Sequence, residues 1–144
     1  MAALEETLKK NGILVYTNKG DSMMPLLREN KDLMIIRTLT EPPKKSDAVL
    51  FKRPNGALVL HRIVKANKDG SYMIVGDNRV RAEKVPGDWI IGILTGVIRD
   101  GKEISVTDKE YLDYLKSVPK RRAKLFFTYY YNAVKRKLGL ARRR

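Results

Sequence analysis

The sequence predicts a mainly β protein: an antiparallel, partly barrel-like sheet, preceded by a short helix and followed by basic C-terminal helices. Three observations carry this. Short runs rich in Val, Ile, Leu and Tyr recur through the first hundred residues, separated by turns built on Gly, Pro and Asn. Helix-like periodicity is confined to the two ends of the chain. At 144 residues and 43% apolar content, one core of ordinary size can form.

The elements follow in order. Ala2–Lys10 reads as a helix stopped by Asn11-Gly12. Ile13–Thr17 reads as a strand that leads into a turn at Ser22, and Pro25 bars further ladder pairing there. Asp32–Arg37 is a second strand, apolar through Leu33-Met34-Ile35-Ile36. Thr40–Asp47, with Pro42-Pro43, is a loop. Ala48–Arg53 and Ala57–Ala66 form a hairpin around Pro54-Asn55-Gly56. Asn67–Ser71 turns the chain into a strand at Tyr72–Val75. Trp89–Ile98 is apolar and β-branched, so it reads as a buried strand, and Asp100-Gly101 turns it into Ile104–Val106. Asp108–Ser117 reads as a helix with Thr107 as its cap. Pro119 interrupts it, and a second helix follows from about Arg121 to Leu138. The chain thus divides into a domain over 1–107 and a helical basic tail over 108–144.

Charge divides the chain in the same way. Net charge is +14. Residues 1–119 hold 20 basic and 16 acidic residues, whereas residues 120–144 hold ten basic residues and no acid. Such a block points to an anionic partner. There is no cysteine, which excludes disulfides and thiolate metal sites. One histidine and scattered acids make no metal site, and no cofactor is expected. No apolar run reaches the ~20 residues of a membrane-spanning helix, and Met1–Lys10 is too charged for a secretory signal.

Chemistry is concentrated in three segments. Gly20-Asp21-Ser22-Met23-Met24-Pro25 places a hydroxyl on a turn. Leu60-His61-Arg62-Ile63-Val64 carries the single histidine, alternating with Val59 and Ile63 on one strand face, while Arg62 points to the other. Val75-Gly76-Asp77-Asn78-Arg79 offers a carboxylate. A serine becomes a useful nucleophile when a base takes its proton, and a partly buried imidazole stays neutral for that task. Each residue also has a plain reading: Ser22 as a turn hydroxyl, His61 as a satisfied strand residue, Asp77 as turn chemistry. Their occurrence together favours a serine nucleophile (Ser22), a base (His61) and an orienting acid (Asp77). Lys52, on the neighbouring strand, is a rival base.

These segments resemble the signal peptidase I family, in its archaeal and endoplasmic-reticulum branch, over about residues 15–95. There a Ser-Met-x-Pro box holds the nucleophile, a His-Arg pair holds the base and a Gly-Asp-Asn box brings the acid. The resemblance implies a signal peptidase/LexA type of β fold and a serine endopeptidase that needs no cofactor. It implies substrates that are extended peptide segments, leader or signal peptides, with small residues at the cleavage site, bound by strand addition. The family also uses an acid about six residues beyond the first, so Glu83 is the alternative to Asp77. Two departures stand out. Gly20 occupies the place of a serine that often donates a second hydrogen bond to the oxyanion, and Met1–Lys10 is not expected to form the N-terminal membrane anchor common in the family. LexA-type self-processing peptidases share Gly-Asp-Ser-Met but use a lysine base and usually cut an Ala-Gly bond, which this chain lacks.

The tail has three readings: a helix packed on the domain, a helix bound to anionic membrane, or a nucleic-acid binder. Aromatics at Phe126, Phe127, Tyr129, Tyr130 and Tyr131, flanked by cations, favour the membrane. Nucleic acid is disfavoured by the lack of a docking motif. The expectation is a peripheral membrane-associated peptidase on the cytoplasmic side, where cationic flanks reside. A non-catalytic basic adaptor that keeps the fold is the non-enzyme alternative.

Overall fold

The computed structural model describes residues 2–139. The helix α1 (Ala2–Asn11) leads into β1 (Ile13–Thr17), and β2 (Leu33–Arg37), β3 (Ala48–Lys52), β4 (Leu58–Ala66) and β5 (Ser71–Val75) follow. Then come β6 (Glu83–Pro86), a single 3-10 turn at Gly87–Trp89, β7 (Ile90–Arg99), β8 (Lys102–Ser105) and α2 (Lys109–Lys137). The protein is mainly β. One antiparallel sheet of eight strands runs in the order β1-β2-β7-β3-β4-β5-β6, with β8 paired to β7 off that path. Among the described residues β1 and β6 do not pair, so the sheet curls without closing into a barrel.

Period-2 patterning explains the pairing. Along β4, Leu60 joins the core formed with Leu14, Met34, Ile36 and Leu50, while Ile63 joins a second core with Phe51, Ile74 and Val85. β7 is long because it has three partners: β2, β3 and β8 all pair with it. Its Gly92 lets α1 approach, since a Cβ there would lie 2.6 Å from Ile36 Cγ2 and 3.0 Å from Leu8 Cδ2.

Three features differ from the sequence pattern. β6 is a strand that Glu83-Lys84-Val85-Pro86 does not announce, having one buried apolar residue. The two expected C-terminal helices are one, because α2 continues through Pro119. Proline in a helix interior costs about 3 kcal/mol. The turns before it are already fixed by buried Tyr111 and Val118, however, and helix propagation from a formed nucleus is easy. Thr107 is not the cap. Asp108 holds the N-cap position, and its carboxylate accepts from the Ser105 N–H rather than from a helix amide.

Candidate functional site

The three chemical segments converge on Gly76. A Cβ at that position would lie 2.6 Å from the Ser22 carbonyl oxygen and 3.2 Å from His61 Cδ2. The serine main chain and the imidazole edge therefore flank one glycine, and only a residue without a side chain lets them approach it. The Asn78 N–H donates to the Ser22 carbonyl at 2.8 Å, and Asn78 Nδ2 donates to the Asp21 carbonyl. Arg79 pairs with the Asp21 carboxylate at 2.6 Å. The turn after β5 thus clasps the turn that carries Ser22. Gly20 has φ of +81°, the left-handed region, which aims the chain into that turn. Met23 and Leu27 anchor it in the core, at 1% and 0% exposure.

His61 sits on β4 opposite Val49, with the Phe51 ring edge-on at 6.1 Å. Its pKa is pulled down to about 4, first by burial and then by the Arg53 and Arg79 cations, with the Asp77 charge opposing. The ring is therefore neutral near pH 7. Its Nδ1 is buried without a hydrogen-bond partner. No acid orients this imidazole; packing against Phe51 and Gly76 does.

The carboxylates are occupied elsewhere. Asp77, 2% exposed, accepts from Arg62 Nε at 2.8 Å on one oxygen and from Arg62 Nη2 at 2.8 Å on the other. The Tyr114 hydroxyl from α2 donates to it at 2.8 Å, and Arg122 stands 3.7 Å away. Arg62 itself also donates to the Ser46 carbonyl and the Tyr111 hydroxyl. Burial alone would lower the arginine's proton affinity, but Asp77 more than restores it. Glu83, on β6, pairs with Arg53 at 2.6 Å. Lys52 pairs with Glu5 of α1 at 2.8 Å and is half exposed, so it lacks the desolvation a lysine base needs. The residues that the sequence did not single out are Tyr111, Tyr114 and Arg122. Each lies far along the chain from Asp77, and no local spacing connects them.

A cavity of about 240 Å³ opens beside Ser22, walled by Tyr16 of β1, Met34 and Ile36 of β2, Leu50 of β3 and Leu58 and Leu60 of β4. Two backbone edges border it. β1 ends the sheet path, so among the described residues its outer edge is unpaired. The stretch Leu58–His61 of β4 pairs with β3 on one side, while β5 pairs only from Arg62 onward. Both edges can accept an extended peptide.

Among the described residues no group of three or more His, Cys, Asp or Glu side chains could hold a metal ion. No protein-family model matches this chain, and no curated protein matches it.

Proposed function

We propose that the protein is a serine endopeptidase similar to signal peptidase I, acting through Ser22 and His61. The observation that carries this is the meeting of the Ser22 turn and a neutral His61 across Gly76, with Ser22 also lining a largely apolar cavity. His61 takes the Ser22 proton as the hydroxyl attacks the scissile carbonyl, giving an acyl-enzyme and, by proton return, the free amine. A water activated by the same imidazole then releases the acyl group. The oxyanion meets backbone amides of the Ser22 turn, since Gly20 has no hydroxyl to offer. Asp77 acts at one remove: its charge opposes the lowering of the His61 pKa, and its bonds to Arg62 and Tyr114 hold the clasping turn. Glu83 takes no part. The substrate lies as an extended strand between β1 and the free edge of β4.

No helix among the described residues is long and apolar enough to cross a membrane. Peripheral association through the far half of α2 fits its exposed Phe127 and Tyr131, 72% and 64% exposed, beside Lys135, Arg136 and Lys137. The cationic flanks favour the cytoplasmic side. Residues 140–144 of the basic tail lie outside the described residues.

Labelling with a serine-reactive active-site probe tests the reading. Wild type is expected to label and to cleave, while Ser22→Ala and His61→Ala do neither and still melt cooperatively. The kcat/KM profile should rise near pH 4 and stay flat through neutrality, following the lowered His61 pKa. Labelling that persists in Ser22→Ala, or a rising limb that His61→Gln leaves in place, sinks it.

A further inference from the structure

The cavity beside Ser22 is large for a small residue. The family resemblance implies alanine-like side chains around the cleavage site, yet the space is about 240 Å³. An apolar cavity of roughly 150 Å³ holds a benzene ring. The walls are Leu, Ile, Met and Tyr from four strands, and α1 contributes Leu4. The polar lining is Asn18, Lys19 and Ser22, grouped at the end that meets the Ser22 turn, and Asn18 is already engaged, its amide donating to the Gly20 and Leu27 carbonyls. Water against the Leu, Ile and Met walls finds no partner there, and an alanine methyl would leave most of that apolar wall without dispersion contacts.

We infer that this cavity takes a large apolar side chain of the substrate, leucine, methionine or phenylalanine, from the segment on the amino side of the scissile bond. The inference rests on the peptidase reading and names the substrate class of that same site. In an extended strand alternate side chains share a face, so a substrate that turns its first residue before the cut toward the cavity turns its third residue the same way. Leu58, half-buried on the free edge of β4, is one of its walls, so a larger side chain there takes up its space.

The experiment profiles cleavage of a peptide library by the full chain. Leucine, methionine or phenylalanine should exceed alanine by at least ~10-fold in kcat/KM at the first or third position. Leu58→Trp, confirmed folded by its melting transition, should cut the leucine peptide's kcat/KM at least ~5-fold more than the alanine peptide's, since the indole takes the space. Preference for alanine or glycine at both positions overturns the inference. Equilibrium binding of matched leucine and alanine peptides to the Ser22→Ala protein separates the two readings, with leucine expected at least ~10-fold tighter. If wild type cleaves nothing while this binding preference holds, the cavity assignment stands and the peptidase reading falls. Cleavage without any preference overturns the cavity assignment alone; neither cleavage nor preference overturns both.

Discussion

The two halves of α2 are one helix in two different environments. The near half, to about Arg122, buries Tyr111 and Val118 and reaches Asp77, on the turn after β5, through Tyr114 and Arg122. The far half leaves Phe126, Phe127, Tyr129, Tyr130 and Tyr131 between 44% and 72% exposed. Its aromatics stack mainly on one another, Phe126 against Tyr130 at 4.7 Å, and a long Arg81–Tyr129 contact at 3.4 Å reaches back toward the domain. Composition alone would rank the halves the other way, since the far half is the more aromatic. The lesson is that a buried carboxylate, together with the apolar contacts of Tyr111, Leu115 and Val118, recruits the near half: Asp77 needs partners, and α2 supplies two of them.

The sharpest way to break this comparison is to remove the central cation. Arg62→Met leaves the Asp77 carboxylate buried, with only the Tyr114 hydroxyl and the distant Arg122. Loss of one partner of a buried ion pair costs about 3–5 kcal/mol, readable by urea unfolding. Phe127→Ala in the far half should stay within about 0.5 kcal/mol of wild type. Equal effects would mean that the two halves are not energetically distinct.

Next in size is the loss of function that follows from deleting the far half. A chain ending at Leu125 keeps Tyr111, Tyr114, Val118 and Arg122. It should melt within a few degrees of the full chain, cleave a soluble peptide at a similar rate and lose sedimentation with anionic vesicles. If it still binds as well as the full chain, the far half is not the membrane contact.

Gly76→Ala probes the site directly. The new methyl would meet the Ser22 carbonyl at 2.6 Å, a main-chain atom that cannot swing aside. The clasp must open, and a displacement of about 1 Å between nucleophile and base costs on the order of 100-fold in kcat/KM. An unchanged rate would mean that the Ser22–His61 approach across this glycine has no catalytic weight.

Much of the sheet was legible in the sequence, for reasons that are local. Alternation and turn residues placed β1 through β5 and β7 within about two residues, because a half-buried strand must alternate and Asn-Gly or Asp-Gly must turn. β6 was not legible: it borrows its pairing from β5, and Val85 alone faces the core. The break expected at Pro119 does not occur because the local rule is outweighed by the packed turns before it, Tyr111 and Val118 being buried. At the site, the sequence could bring forward Ser22, His61 and Asp77 as candidates. It could not reveal that Asp77 binds Arg62 and Tyr114, since those contacts span 15 and 37 residues.

The smallest expected effect is also the most specific. Tyr114→Phe removes one hydrogen bond to Asp77 and leaves the ring in place. Both Asp77 oxygens keep Arg62, so the carboxylate is not orphaned. A hydrogen bond to a charged group contributes about 1.5–3 kcal/mol, and the lower end applies here because the remaining partners compensate. The tyrosine pKa is raised, by burial first and then by Asp77, so the phenol is protonated and donating across the working range. The loss should therefore be independent of pH between about 6 and 9 in thermal melts. Wild-type stability should instead fall on acidification from about pH 6.5 toward 4. In that window the unfolded histidine binds a proton that folded His61, lowered to about 4, refuses. That acid slope should survive in Tyr114→Phe and flatten in His61→Gln. A slope that vanishes with Tyr114 and persists without His61 would reverse the assignment, placing the titrating group in the α2 network instead of at the candidate base.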